Sequence, residues 1–185
     1  MVMFGAAALL MDDYLQLLED PSCYRPASGD GRLAAVTLMV APDYCILIER
    51  SPNAPKHAGQ VALPGGRAED SDLDLWDTAR RETAEEVHVS LGRHQPYQQM
   101  PATMTGTGYH VHPFLVLMDK LPPHRPDNHE VENILLFPTP DLLDLTRYRL
   151  VSREQGLVET PWGPYHIWGA TARIMYLAAH ILNQN

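Results

Sequence analysis

At 185 residues the chain is long enough for one domain with a full hydrophobic core. Hydrophobic residues make up 45% and charged residues 20%, the profile of an ordinary soluble globular protein rather than a disordered or membrane chain. A formal net charge of −9 excludes a nucleic-acid backbone as the default partner, because direct phosphate binding needs clustered Lys and Arg. An acidic protein can still take a phosphate ester when a metal ion bridges the two.

The apolar stretch Met1–Met11 has no basic start and no small-residue cleavage site, so a signal peptide is not expected. No run reaches the ~20 apolar residues of a membrane span, so no membrane partner is expected. Leu9–Glu19 has helical apolar spacing and is expected to form a first helix, followed by a loop over Asp20–Arg32. Leu33–Val40 and Tyr44–Glu49 are apolar runs split by Ala-Pro-Asp and read as two adjacent strands. Cys45 lies inside the second run as a small core residue. With Cys23 as the other cysteine there is no disulfide framework and no zinc pattern, which points to a reducing cytoplasm.

Ser51–Gly59 reads as a loop, and Gln60–Leu63 as a short extended piece ending at Pro64-Gly65-Gly66. Leu73–His88 is the clearest helix. Ser71-x-x-Asp74 has capping-box spacing, and Asp70 and Asp72 suit the positive end of the helix. On a helical wheel Trp76, Thr83 and Val87 share one side, with Leu73 close by, and that side can pack on a sheet. Thr78, Ala79, Glu82, Glu85 and Glu86 lie on the other. Downstream, Tyr109–Met118 and Val131–Phe137 read as strands around a proline-rich loop, Asp119–His129. Pro140–Arg147 reads as a short helix or turn, Trp162-Gly163-Pro164 as a turn and Thr171–Leu182 as the closing helix. The expected fold is α/β, a mixed sheet between helical layers, in a single domain over 1–185 with residues 1–32 as an N-terminal helix and loop.

Glu82, Glu85 and Glu86 are spaced i, i+3, i+4, which puts three carboxylates within about one turn. Such a face is either solvated and paired with Arg80 and Arg81, or it binds a hard cation that removes the repulsion. Mg²⁺ takes octahedral oxygen ligands and keeps several waters, which suits a few carboxylates plus substrate phosphate oxygens. Pro64-Gly65-Gly66 favours the second reading, because glycines allow a backbone carbonyl to approach the carboxylates.

The pattern Gly66…Arg81-Glu82-Thr83-Ala84-Glu85-Glu86-Val87 resembles the Nudix box. It departs from that box in three ways. Asp72 replaces the Glu after the glycine, one extra residue precedes Arg81-Glu82, and His88 replaces the late glycine. The longer spacing resembles the Nudix subgroup that hydrolyses coenzyme A. Arg50-Ser51, the stretch from His57 to Gly66, Thr78-Ala79, Thr107-Gly108-Tyr109, Glu130-Val131 and Ile167 to Ala172 resemble that subgroup as well. Ala54-Pro55 stand where the subgroup has Leu-Arg.

The resemblance implies a Nudix-type α/β/α sandwich and metal-dependent cleavage of a nucleotide pyrophosphate, with Mg²⁺ or Mn²⁺ as cofactor. It implies Glu82, Glu85 and Glu86 as metal ligands, with the Gly66 carbonyl as a fourth, and Arg81 orienting a glutamate. Glu130 is the candidate general base, with Glu82 as the alternative. Arg50, His57, Gln60 and Tyr109 are the candidate substrate contacts. Coenzyme A or its thioesters are the expected substrates. NADH, ADP-ribose, a dinucleoside polyphosphate, or a non-catalytic nucleotide-binding role are the alternatives. The resemblance also leaves room for a homodimer to which Trp168 could contribute.

Overall fold

The computed structural model describes residues 32–54, 57–152 and 157–184. The expected helix at 9–19, its following loop up to residue 31, Cys23, Pro55 and Lys56 lie outside the described residues. Arg32, expected at the end of that loop, already belongs to the first strand.

Strand β1 (Arg32–Val40) and strand β2 (Tyr44–Arg50) form where the sequence is apolar at nearly every position. Such runs suit strands covered on both faces. Ala41 N–H donates to the Tyr44 carbonyl at 3.0 Å and closes the turn between them. The two strands pair at Val40 and Cys45 and then part. From there β1 runs parallel to β7 (Tyr109–Leu117), with Arg32 opposite Tyr109 through to Val40 opposite Leu117. β2 instead takes β8 (Val131–Pro138) as its antiparallel partner. Pro113, which has no N–H to give, sits within β7 and accepts the Met100 N–H on its carbonyl at 3.0 Å.

The divergence of β1 and β2 creates the space for the functional segment. β3 (Val61–Ala62) pairs with β2, and β4 (Gly65–Arg67) pairs with β1. The Gly-Gly pair at which the expected extended piece ends is therefore part of a short strand of its own. The chain crosses between the two halves at Pro64, whose carbonyl accepts the Thr37 N–H at 2.9 Å. Short strands β5 (Gln98–Gln99) and β6 (Thr103–Met104) complete a mixed sheet of eight strands by pairing with β7.

Helix α1 (Leu75–Val87) begins at Asp74, whose carboxylate accepts the Asp77 N–H at 2.8 Å. The cap is therefore Asp74 itself and not Ser71, and the helix starts two residues later than expected. Leu73 falls outside it and is 76% exposed. Trp76, Thr83 and Val87 are buried as expected, and Trp76 packs against the rings of Tyr97 and Phe114. The core on this side joins Trp76, Ala79 and Val87 to Ala35, Met39, Ile46, Ile48, Phe114 and Val116. Thr78, Ala79 and Glu86, expected on the outer face, are buried too. A wheel with one sheet contact undercounts the burial of a helix that also packs on β4.

The far side was only half legible. A short helix α2 (Thr139–Leu143) and a 3₁₀ turn (Leu145–Arg147) follow β8. Then β9 (Arg149–Ser152), β10 (Leu157–Trp162) and β11 (Tyr165–Trp168) form a second, three-stranded sheet that periodicity had not revealed. The expected turn at Trp162-Gly163-Pro164 joins β10 to β11, with Gly163 at φ +55°. Trp162 packs on Phe137 of the main sheet at 5.0 Å between ring centres. Helix α3 (Gly169–Asn183) buries Ala172 and residues Ile174 to Ala179. Trp168 is 43% exposed, so it is not a core residue. The fold is mixed α/β, as expected, with this small sheet added to the helical covering.

The carboxylate site on helix α1

The site forms where α1 meets β4 and the end of β2. Its most buried acid is Glu86, 2% exposed near the C-terminus of α1. One of its oxygens, Oε2, accepts the Gly65 N–H at 2.8 Å, and the other lies 3.5 Å from Arg50 Nη1. Both partners favour the carboxylate, but burial outweighs them and pushes the Glu86 pKa up to about 8. Glu82 is raised as well, by burial first, against the pull of Arg81 and with Glu85 and Glu130 adding to the repulsion.

The two glycines have different reasons to be glycine. Gly65 has φ +150°, and a Cβ there would meet the Ala35 carbonyl oxygen and Val36 Cα at 2.3 and 2.5 Å. A Cβ on Gly66 would meet the Glu82 carboxylate at 2.5 Å. The first glycine lets β4 lie against β1, and the second leaves room over a carboxylate.

Arg81 is the hub of the acidic face. Its guanidinium donates to Asp72 through Nε at 3.0 Å and Nη2 at 3.1 Å, to Glu82 at 2.9 Å, to Glu85 at 3.2 Å and to the Arg67 carbonyl at 3.0 Å. This explains Asp72, the residue that departs from the Nudix pattern. Its carboxylate also accepts the Thr78 hydroxyl at 2.8 Å, and the Arg81 hydrogen bonds hold it well below the usual carboxylate range. The shorter acid still reaches the arginine.

Glu130 arrives from a different part of the chain. The last turn of any helix leaves carbonyls without helical partners. Here Arg125 N–H donates to the Val87 carbonyl at 3.1 Å, and Asp127 N–H to the Glu86 carbonyl at 3.2 Å. The proline-rich loop is thereby docked on the end of α1. The Asp127 carboxylate then accepts the backbone N–H groups of His129, Glu130 and Val131, which folds the turn that presents Glu130. Glu130 Oε2 ends 3.9 Å from Arg50 Nη2, with its side chain 64% exposed. Asp127 was missed in the sequence, although an Asp-Asn pair before a strand is a turn signal.

The other candidates divide. Arg50 joins the site directly. Its N–H donates to the Gln60 carbonyl at 3.0 Å, and its carbonyl accepts the Gly59 N–H at 3.1 Å, so the segment holding His57 and Gln60 is tied beside it. His57 Nδ1 lies 3.0 Å from Gln60 Oε1 at the surface, with His57 at φ +57°. Tyr109 instead lies at the start of β7 beneath the Arg32 guanidinium, 5.7 Å from the ring centre. His88, in place of the late glycine, is the cap of α1 in left-handed conformation, φ 56° and ψ 31°, where glycine is favoured.

The fit of this arrangement to a divalent cation can be judged from its charges. One buried and one partly buried carboxylate have too little positive charge around them to offset their desolvation, and a glycine leaves space above one of them. Among the described residues no three acids, imidazoles or thiols already stand together as a metal cage. Glu85, 58% exposed, leans out to Arg81. The donor set suits a hard cation.

A mixed α/β protein with an acidic helix beside a glycine strand is thus the class that fold and site define. The NUDIX domain family model matches residues 31–157, and the chain belongs to that family. It is 32% identical over 178 residues to NudL of Shigella sonnei, an uncharacterised Nudix hydrolase, covering 91% of this chain and 92% of that one. NudL of Yersinia pestis, strain Pestoides F, is 31% identical over 156 residues, 80% of this chain and 78% of that one. Among solved structures, a MutT/nudix family protein from Enterococcus faecalis superposes with TM-score 0.59 at 15% identity, over 98% of this chain and 76% of that one. The NUDIX domain of Shewanella oneidensis NrtR, complexed with ADP ribose, gives TM-score 0.58 at 17% identity, over 92% and 98%. At these identities the structural likeness is one of fold. Among the described residues no helix is long and apolar enough to cross a membrane.

Proposed function

We propose that this Nudix hydrolase cleaves the pyrophosphate of coenzyme A or its thioesters, releasing 4′-phosphopantetheine and adenosine 3′,5′-bisphosphate. The observation that carries the catalytic part is the convergence of Glu82, Glu86, Arg81, Arg50 and Glu130 from three separate segments on the Gly65-Gly66 strand. The coenzyme A part rests on the one-residue longer spacing to Arg81-Glu82 and the flanking motifs from Arg50 to Gly66.

Glu82, Glu85 and Glu86 would hold Mg²⁺ or Mn²⁺, with the Gly66 carbonyl as a further oxygen. A bound divalent ion supplies polarisation of phosphoryl oxygens and a lowered pKa for a coordinated water. Arg81, braced by Asp72, orients Glu82 and Glu85 by charge-assisted hydrogen bonds. Glu130, exposed at the mouth of the site, accepts the proton of the attacking water, with Glu82 as the alternative base. His57 and Gln60 contact the substrate beside Arg50. Tyr109, with the Arg32 guanidinium 5.7 Å from its ring centre, is a further candidate contact. A buried free thiol, Cys45, is compatible with action in a reducing cytoplasm. The exposed Trp168 offers a contact for a homodimer.

Ala54-Pro55 favours a second reading of the substrate, since the subgroup's arginine is lost there. NADH, ADP-ribose or a dinucleoside polyphosphate then replaces coenzyme A at the same site. The test is to incubate the protein with Mg²⁺ or Mn²⁺ and each of these compounds and to resolve the products by chromatography. Cleavage of coenzyme A in preference to the others is expected. NADH turnover far above coenzyme A removes the subgroup assignment, and no turnover of any compound removes the enzyme.

A further inference from the structure

Arg50 is a long cation inserted into a site built for another cation. Its Nη1 is 3.5 Å from Glu86 Oε1 and its Nη2 is 3.9 Å from Glu130 Oε2. Neither distance is that of a tight charge-assisted bond, which closes to about 2.7–2.9 Å. Its Nε is buried and has no hydrogen-bond partner. A guanidinium recruited for good pairing would use that donor, as Arg81 uses its own on Asp72 at 3.0 Å. The Arg50 backbone, by contrast, is fixed on both sides by Gln60 and Gly59. The residue is thus anchored at its backbone and loosely held at its head, between one buried acid and one exposed acid.

We propose that Arg50 is a placeholder for the divalent ion: it pairs loosely with Glu86 in the metal-free protein, leaves Glu86 when the ion enters, and turns towards Glu130 and the substrate phosphate. This rests on the metal site proposed above and adds a role for Arg50 that substrate binding alone does not contain. The guanidinium and a bound ion would compete for the Glu86 carboxylate and repel each other. Occupancy by one therefore weakens the other by the same factor. The movement is a side-chain rotation about a fixed backbone and needs no rearrangement of β2. Its result is an arginine delivered to the phosphate side of the site when the ion is in place.

The experiment is Mn²⁺ binding without nucleotide, followed by titration calorimetry on the wild type, Arg50→Met and Arg50→Lys. Removal of the competing charge in Arg50→Met is expected to tighten Mn²⁺ binding by about fivefold, the scale of one charge pair. Arg50→Lys keeps the charge and is expected to stay near wild type. In turnover, Arg50→Met is expected to raise KM more than it lowers kcat. A second measurement needs no folded variant: the Arg50 Nε–Hε resonance of the wild type during Mg²⁺ titration, read beside the Gly65 amide. Both signals are expected to shift together. A Gly65 amide that responds while Arg50 Nε–Hε stays still overturns the placeholder, as does Mn²⁺ binding in Arg50→Met that is no tighter than wild type. A wild type that binds no Mn²⁺ overturns the metal site itself.

Discussion

The two ends of helix α1 carry similar residues and do opposite things with them. At the N-terminal end Asp74 and Asp77 face Arg80 and Arg93, with contacts of 2.6 to 3.4 Å. Asp74 also caps the helix, Arg80 Nε donates to the Leu91 carbonyl, and Trp76 Nε1 donates to the Arg93 carbonyl. These acids are balanced and at least partly exposed, and they staple the following segment to the helix. At the C-terminal end Glu86 is buried and Glu82 partly buried, and the arginines near them do not offset the burial. Identical charge chemistry is balanced where water and partners satisfy it and electrostatically perturbed where they do not.

The sharpest way to break the contrast is Glu86→Gln. Metal-dependent turnover is expected to fall by at least ~100-fold, since even residues that only support metal ligands cost 10–100-fold. The circular dichroism spectrum should stay native, and full activity in this variant would refute the ligand assignment. The adjacent glycines separate next. Gly65→Ala forces a Cβ onto backbone atoms, so urea unfolding is expected to show a loss of about 2–4 kcal/mol. Gly66→Ala meets only the movable end of Glu82, so kcat is expected to drop about tenfold or more with little change in the urea midpoint.

Asp72→Asn tests the brace on Arg81. A loss of about 1–3 kcal/mol at pH 7 is expected, the range for a hydrogen bond to a charged group. Because the native carboxyl is held below its unfolded value, the wild type keeps this contribution at and above neutral pH. It loses it as pH falls from the ordinary Asp value near 4 towards the depressed native one. Thermal melts of wild type and variant should therefore converge in acid. Asp74→Ala, at the balanced end, is expected to cost ~1 kcal/mol as a lost cap and to leave kcat/KM unchanged. The smallest effect is a gain. His88→Gly relieves a left-handed non-glycine residue and is expected to stabilise by up to ~1 kcal/mol, read as a higher urea midpoint.

The legible parts of this molecule are those whose signal is local. β1, β2, β7, β8, α1 and α3 follow apolar runs and periodicity, and errors there are confined to ends such as Leu73. The second sheet was missed because β9, β10 and β11 are short, partly exposed and interrupted by Pro161. Their order comes from packing on Phe137 and α3 rather than from a pattern of their own. Within the site, Glu82, Glu85, Glu86 and Arg81 were readable because a helix fixes their mutual spacing. The Arg32 guanidinium over Tyr109 was not readable, because a strand start says nothing about which neighbour lies over the ring.

Sequence alone determined that three carboxylates share a face of α1 and that a glycine pair precedes it at a family-specific distance, since both follow from spacing along one chain segment. Only the tertiary structure decided how each carboxylate is buried and paired. The parting of β1 from β2 buries Glu86 under Gly65 and Arg50, the docking of the 119–130 loop on the helix end brings Glu130 within reach, and Asp72 is seen to brace Arg81. Burial and long-range pairing set the electrostatics of an acid, and neither is written in the residues next to it.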